Sequence, residues 1–159
     1  HRAGHAMFDR TPNHGMKMEV IAQLARMIGV DSLHIGTAYG KMIGGKDEVI
    51  HIEKEIESEF TKQTKENLSQ KWYGIKPVFG VASGGIYPGI VDKIINLMGT
   101  DIIIQAGGGI HGHPNGTIAG AKAMRQAVDG VMKKISLKDY AKTHKELKSA
   151  IDKWGWKKN

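Results

Sequence analysis

The sequence predicts an α/β fold in which strand–loop–helix units repeat along the chain. Three apolar segments rich in β-branched residues end in glycine beside polar residues, and helical patterns flank each of them: 33–37, 81–85 and 104–109. In parallel barrels and doubly wound sheets such strand ends meet at one edge, where the active site lies. Glycine there lets backbone amides approach an anion, and the following helix directs its positive end to the same place. The predicted ligand is a phosphorylated small molecule.

Apolar spacing defines the elements of the first half of the chain. Residues 1–7 are typical of the end of a strand and residues 9–15 of a loop. A helix is predicted over 16–28, ending at Gly29, with one apolar face made of Met16, Val20, Leu24 and Met27. A strand at 32–36 and a glycine-containing loop at 37–46 follow. A helix over 47–63 is predicted to bury Val49, Ile52, Ile56 and Phe60, and to leave in solvent Glu53, Glu57 and Glu59.

The second half repeats the same order. A strand at 77–82 ends at 83–85, and Pro88 lies in the first turn of a helix that ends near Gly99. A strand at 101–105 ends in three glycines, and a polar loop covers 111–116. A helix over 117–134 is predicted to bury Ala121, Met124, Val128 and Val131. The last helix begins at Ser136, where Asp139 completes a pattern like a capping box, and its apolar spacing runs through Leu137, Tyr140, His144, Leu147, Ile151 and Trp154.

Composition excludes several classes of protein. With 159 residues and 40% apolar content, the chain can form one domain with a core and is neither disordered nor fibrous. No apolar stretch of about 18 residues and no leader-like start are present, so we expect neither a membrane span nor a signal peptide. The absence of cysteine excludes disulfides and thiolate metal sites and favours a reducing, cytoplasmic location.

Most of the net charge of +7 lies near the C-terminus, where residues 133–159 contain nine lysines and three acidic residues. Such a segment is usually a solvated helix face, so we favour this interpretation over nucleic-acid binding. Trp154 and Trp156 are expected to cover apolar surface rather than to stack on bases.

The number of strands is too small for a closed barrel, which needs eight. Three strands and the end of a fourth would leave unpaired edges and an apolar inner face in water. We therefore expect another chain or a missing segment to complete the sheet. The first residue is His1 and not methionine, which indicates processing or a piece of a longer chain.

Four segments resemble, in order and at comparable spacing, the C-terminal half of the ribulose-1,5-bisphosphate carboxylase/oxygenase (RuBisCO) large subunit: 1–6, 33–44, 83–85 and 105–114. The resemblance covers essentially the whole chain and is closer to archaeal-type forms than to plant ones. It implies the C-terminal portion of a TIM (β/α)8 barrel, with three to four parallel strands in residues 1–134, followed by a C-terminal helix and basic tail in residues 135–159. The complete enzyme adds CO2 or O2 to the enediol of ribulose 1,5-bisphosphate and yields 3-phosphoglycerate.

The resemblance also implies roles for individual residues. His1 matches an acid/base histidine, and Lys41 matches a lid-loop lysine that stabilises the carboxylate formed as CO2 adds. Arg2 and His34 match residues that grip one phosphate, and His5 is a supporting histidine. The sugar backbone and the other phosphate are assigned to Ser83, Gly84, Gly85, Gln105, Ala106, Gly107 and Gly108. Taken singly, a loop lysine or a turn glycine needs no functional explanation; three glycine-ended strands together favour a site.

The family's metal centre lies outside this sequence. The complete enzyme needs Mg2+, held by a carbamylated lysine, an aspartate and a glutamate in a Lys-x-Asp-Glu order that the resemblance places upstream of His1, together with another catalytic lysine. Lys46-Asp47-Glu48 lacks the intervening residue and is interpreted as helix capping. His111 and His113 without a third ligand are weak evidence for a metal. We assign no metal ligand here and expect the isolated chain to be inactive.

Other functions stay open. The chain could be a non-catalytic, RuBisCO-like sugar-phosphate-binding module, although Lys41 argues against this. It could instead be a structural or assembly fragment that pairs its strands with another copy. The partners expected from the resemblance are ribulose 1,5-bisphosphate, CO2, and the missing N-terminal half or a neighbouring subunit in a homo-oligomer. Neither nucleic acid nor a membrane is expected.

Overall fold

The computed structural model of the 159-residue chain describes residues 14–39, 46–65 and 67–156. Within these ranges the strands are β1 (Ser32–Gly36), β2 (Phe60–Thr61), β3 (Gln70–Lys71), β4 (Phe79–Ser83) and β5 (Ile102–Gln105). The helices are α1 (Met18–Ile28), α2 (Lys46–Glu57), α3 (Val91–Met98), α4 (Gly108–His111), α5 (Gly116–Met132), α6 (Leu137–Tyr140) and α7 (Lys145–Trp154), and a 3-10 turn covers Pro88–Ile90. None of these helices combines the length and apolar character needed to cross a membrane.

The main sheet is parallel, with strand order β1-β4-β5. Its register pairs His34 with Val81 and Ser83 with Gln105. Helix α2 lies in the connection from β1 to β4, and α3 lies in the connection from β4 to β5, as βαβ units require. The predicted repeat of strand–loop–helix units is confirmed, and all three strands end at the same edge.

One face of the sheet carries the core, and the other is partly exposed: Val81 on it is buried, but its neighbours are not. Ile35 and Ala82 are almost fully buried within a single cluster that includes the inner sides of the helices. On the opposite face Phe79 is 53% exposed and Ile103 is 43% exposed. Parallel sheets are normally covered on both faces. The uncovered apolar face therefore agrees with the prediction that the sheet is incomplete.

Helix α1 exposes the apolar face that its sequence pattern defines. Met16, Val20, Leu24 and Met27 are each 40–55% exposed, whereas the buried positions of the helix are Met18, Ala22 and Arg26. Gly29 adopts a left-handed conformation with φ of 90° and ends the helix, as predicted. The exposed face adds a second uncovered apolar surface to that of the sheet.

The prediction for residues 47–63 is wrong for the end of the helix and for the exposure of Phe60 and Glu53. Helix α2 ends at Glu57, and the chain continues into an antiparallel pair of β2 and β3 in which Phe60 is 52% exposed. Glu53, expected in solvent, is 5% exposed, because it lies on the buried side of α2 with Val49 and Ile56.

Buried Arg26 explains the early end of α2. Its guanidinium donates hydrogen bonds to the backbone carbonyl oxygens of Glu55, Ser58, Ile75 and Lys76 at 2.7–3.1 Å. It also lies 4.3 Å from the centre of the Trp72 ring. A cation at the last carbonyls of a helix stabilises that terminus. Arg26 therefore joins α1, the end of α2 and the segment before β4.

The C-terminal region contains two helices and not the single predicted one. Ser136 caps α6, since its hydroxyl oxygen accepts a hydrogen bond from the Asp139 amide, as predicted. The helix ends at Tyr140, and α7 begins at Lys145. Leu147 and Ala150 are the buried residues of α7. In α5, Met124 is buried as predicted, but Ala121 is exposed.

We expect Arg26→Lys to lower the free energy of unfolding by about 3 kcal/mol, since a lysine ammonium cannot replace the planar fork at four carbonyl groups. The matched control is Arg125→Lys, because the Arg125 side chain is 68% exposed and pairs with Asp129 at the surface; its effect should stay below about 0.5 kcal/mol. Urea denaturation measures both. Equal losses in the two variants would contradict the role given to Arg26.

Glu53 makes stability dependent on pH. Burial, with Glu57 as a second cause, raises the pKa of Glu53 from 4.5 to about 7, and its Oε1 atom has no hydrogen-bond partner among the described residues. The folded state therefore favours the protonated form of Glu53. The stability of the fold that depends on this proton is complete below pH 4.5 and is lost as the pH rises through about 7.

We therefore expect Glu53→Gln to raise the free energy of unfolding by about 2 kcal/mol at pH 8 and to change it little at pH 4. Denaturant titrations at both pH values measure the difference. The control is Glu59→Gln, on an exposed side chain. If Glu53→Gln raises the free energy of unfolding equally at both pH values, the burial of a charged Glu53 is not the cause of the increase.

Candidate functional site

The candidate site is the rim, which we define as the carboxyl ends of β1, β4 and β5 with the residues that follow them: 34–39, 83–89 and 105–112. A 2.9 Å hydrogen bond joins His34 Nδ1 to Ser83 Oγ across the ends of β1 and β4. Ser83 in turn pairs with Gln105 of β5. The structure therefore brings together three residues that the sequence analysis named as substrate-binding, from three different strands.

Glycines at the ends of β1 and β4 are required by the backbone. Gly36, Gly84 and Gly85 have φ angles of 94°, 108° and 69°, which residues with a Cβ rarely adopt. Gly36 is the last residue of β1 and still pairs with Ala82, whereas Gly84 and Gly85 directly follow Ser83 at the end of β4. Their conformation accounts for the residue type without reference to a ligand.

Gly107 and Gly108 differ from these turn glycines. Gly107 has φ of −103°, and a Cβ built at either position would have no atom of the described residues within 4 Å. The next residue, Gly109, is required by packing, because a Cβ there would overlap the Ile86 carbonyl. Bare backbone that neither conformation nor packing requires is typical of a surface that another molecule approaches closely.

Gly109 also brings two segments of the rim into direct contact. Its backbone packs against that of Ile86, so the segment after β4 lies beside the segment after β5. Gly84 and Gly85 directly precede Ile86, and Gly107 and Gly108 directly precede Gly109, so this contact brings the two glycine pairs to the same part of the rim. Ala106, between Gln105 and Gly107, is half-buried and packs against the hydrophobic core. All seven substrate-binding residues assigned to 83–85 and 105–108 thus belong to the rim.

Two lysines lie beside the rim although the sequence did not predict them to be near it. Lys46 Nζ and Lys93 Nζ lie 5.4 Å and 5.5 Å from the centre of the Tyr39 ring. Each lysine belongs to the first turn of a helix, α2 or α3, whose N-terminus carries partial positive charge. Together they make this part of the rim favourable for an anion. Only the fold brings Lys93 near Tyr39, so no local sequence signal could identify it.

Several predicted residues cannot be placed. His1, Arg2, His5 and Lys41 lie outside the described residues. The catalytic and phosphate-gripping roles that the resemblance gives to them stay predictions.

The described residues do not provide a metal centre: no group of three or more histidine or acidic side chains in those ranges is arranged to hold an ion. Asp47 and Glu48 lie in the first turn of α2, where acids stabilise a helix N-terminus. The residues within 14–39, 46–65 and 67–156 therefore do not provide the ligand group that the resemblance implies for magnesium.

His113 has a structural role that uses both ring nitrogens. Nδ1 accepts a 3.1 Å hydrogen bond from the Asn115 amide, and Nε2 donates to the Glu146 carbonyl oxygen at 2.9 Å. Since the amide can only donate and the carbonyl can only accept, the proton lies on Nε2. His111 is exposed and hydrogen-bonds to Thr117. The pair His111 and His113 thus does not form half of a metal site.

Comparison with protein families gives one decisive match. The model of the ribulose bisphosphate carboxylase large chain, catalytic domain, matches residues 1–154. The chain belongs to this family. The predicted resemblance to RuBisCO is confirmed, and the parallel strands and helices match part of its catalytic barrel domain.

Individual relatives of the chain are archaeal RuBisCOs. The ribulose bisphosphate carboxylases of Thermococcus onnurineus and Pyrococcus furiosus are each 50% identical, over 159 and 158 residues. These alignments cover 98% and 99% of this chain but only 36% and 35% of the two relatives. The chain thus spans about a third of the length of the RuBisCOs it matches.

Solved RuBisCO structures have the same fold over this region. An archaeal RuBisCO superposes with a TM-score of 0.90 at 48% identity, covering 100% of this chain and 37% of that one. A dimeric RuBisCO from Hyperthermus butylicus gives a TM-score of 0.87 at 46% identity, covering 99% of this chain and 37% of that one. An octameric one from Pyrococcus horikoshii gives 0.85 at 46% identity, covering 98% and 34%.

Proposed function

We propose that this chain forms the phosphate- and sugar-binding part of a ribulose-1,5-bisphosphate carboxylase. The complete enzyme would add CO2 or O2 to the enediol of ribulose 1,5-bisphosphate and yield 3-phosphoglycerate. The observation that carries the proposal is the rim, where His34, Ser83 and Gln105 meet beside the bare backbone of Gly107 and Gly108. Family membership supports the reaction class.

The chemistry of the rim suits a doubly phosphorylated sugar. The Ser83 hydroxyl can donate to an oxyanion or accept from a sugar hydroxyl, and its bond to His34 fixes its position. Backbone amides beside glycine can approach phosphate oxygens without steric hindrance. Lys46 and Lys93 add positive charge at the same edge. We assign one phosphate to His34 with Arg2, and the other to the segment at 105–108.

The remaining roles follow the family pattern. In this proposal His1 moves protons at the sugar hydroxyls, because an imidazole titrates near neutral pH. Lys41 stabilises the carboxylate that forms as CO2 adds. Magnesium and its ligands come from outside the described residues, which contain no suitable group.

A partner must supply the metal centre and complete the barrel. The uncovered face of the sheet, with Phe79 and Ile103, and the exposed face of α1 both leave apolar surface in water. We propose that the N-terminal portion of a RuBisCO large chain covers them, and that the complete enzyme is a homo-oligomer. The dimeric and octameric states of two related RuBisCOs support the second point.

A second candidate function is sugar-phosphate binding without catalysis. The His34–Ser83 contact and the bare backbone of Gly107 and Gly108 favour it for the chain by itself, because they are binding groups that need no metal. The two functions differ in turnover and not in affinity, so binding and activity have to be measured separately.

Binding tests the role of the bare glycines. We expect Gly107→Ala and Gly108→Ala to weaken binding of ribulose 1,5-bisphosphate at least about tenfold, while the free energy of unfolding changes by less than about 0.5 kcal/mol, because the added methyl group meets open space within the described chain. Isothermal calorimetry and urea denaturation give the two quantities.

Two controls accompany these variants. Ala121→Ser, on the exposed side of α5, should change neither quantity. Gly120→Ala should mainly reduce stability, because a Cβ there would overlap the Ile110 carbonyl oxygen. Unchanged affinity in both rim variants would exclude Gly107 and Gly108 from the phosphate site.

Activity tests the division of the enzyme. With Mg2+ and ribulose 1,5-bisphosphate, we expect the 159-residue chain to fix no labelled bicarbonate into acid-stable product. Co-expression with the N-terminal portion of the Thermococcus onnurineus relative should restore fixation, and Lys41→Met in this chain should abolish it again. Fixation by the chain alone would contradict the proposal that the metal centre comes from elsewhere.

A further inference from the structure

The end of α7 and the two residues after it make specific contacts that the proposed function does not use. We call residues 154–156 the C-terminal clasp. The Trp156 indole Nε1 donates a 3.0 Å hydrogen bond to Asp92 Oδ2, in the first turn of α3. The Trp154 ring lies 6.1 Å from the Tyr87 ring and 6.4 Å from the His113 ring, centre to centre. The clasp therefore touches the segments after β4 and after β5.

Glycines make the contact between the clasp and the segment after β4 very close. A Cβ at Gly89 would overlap the Gly155 carbonyl oxygen, so the two backbones pack directly on each other. Gly155 itself has φ of 85° and ends α7. Gly109 packs against Ile86 in the same way. The clasp therefore packs directly on the backbone of the segment after β4, which in turn packs on that of the segment after β5.

The contact to the segment after β5 is similar. The Lys153 ammonium, directly before the clasp, donates to the Gly112 carbonyl oxygen. A Cβ at Gly112 would lie 3.5 Å from the Trp154 ring. The rim segments after β4 and after β5, which carry the proposed sugar- and phosphate-binding residues 83–85 and 105–108, are thus both contacted by one short piece of chain.

We propose that the C-terminal clasp is a positioning element for the rim segments after β4 and after β5, and that Trp156 and Asp92 are its positioning residues. This inference rests on the proposed function of the rim. Backbone amides bind phosphate well only when they are held in place beforehand, because a site populated in a fraction of molecules binds with affinity reduced by that fraction. Neither residue is proposed to touch the substrate.

The test compares variants of the Trp156–Asp92 hydrogen bond in the 159-residue chain. Trp156→Phe removes the donor and keeps an aromatic ring, and Asp92→Leu removes the acceptor. Asp92→Asn keeps an oxygen that can accept and serves as the conservative rescue. Lys148→Ala, which breaks an exposed ion pair with Asp152 on α7, is the control for a change elsewhere on the helix.

We expect Trp156→Phe and Asp92→Leu to weaken binding of ribulose 1,5-bisphosphate about tenfold by calorimetry under conditions where each variant is fully folded. Asp92→Asn and Lys148→Ala should stay within about twofold of the unchanged chain. In the absence of ligand, amide hydrogen exchange at residues 84–89 and 107–112 should be faster in the first two variants only.

The outcomes separate this inference from the proposed function. If the unchanged chain binds the bisphosphate and Trp156→Phe binds it equally well, the clasp does not position the site. Lower stability with unchanged affinity and unchanged exchange at the rim would likewise reduce the clasp to a structural role. If the unchanged chain does not bind the bisphosphate, the proposed function is wrong, and the exchange rates alone decide whether the clasp orders the two segments.

Discussion

Parallel pairing of β1, β4 and β5 is the constraint on which the rest of this structure depends. It forces strands that are far apart in sequence to end at one edge, so that His34 and Ser83 lie within 2.9 Å of each other. It also requires helical crossovers, which place α2 and α3 with their N-termini at the same edge. Positive helix ends, glycine turns and polar side chains therefore coincide as a consequence of topology.

The two edges of the sheet serve different purposes. At the amino edge Arg26 donates four hydrogen bonds to carbonyl groups and stabilises the connection into β4. A carboxyl group with a raised pKa also lies away from the rim. Burial, together with the negative charge of Asp101 before β5, raises the pKa of Glu57. At the carboxyl edge, glycines allow backbone segments to pack closely and leave open space beside Gly107. Stability and the candidate site are thus separated, as in other parallel α/β proteins.

Much of the fold follows from local sequence, and the exceptions have physical causes. β-Branched runs ending in glycine identify the strands, and β1 has the predicted limits. The end of α2 could not be predicted, because Arg26 binds the carbonyl oxygens of Glu55 and Ser58 at that end, and these residues are 29 and 32 positions away in sequence. The motifs identify the rim residues, but Lys93 and the Trp156–Asp92 bond depend on tertiary contacts. The described residues contain no group of metal ligands, and the chain covers about a third of the length of its relatives.

The most direct test of the shared rim is a map of backbone amide shifts by two-dimensional NMR during titration with ribulose 1,5-bisphosphate. We predict that amides of Gly84, Gly85, Gly107 and Gly108 shift together and saturate at one ligand concentration, with His34 responding in parallel. Shifts confined to the lysine-rich C-terminal residues, or scattered over the surface without saturation, would contradict a single site at the ends of the three strands.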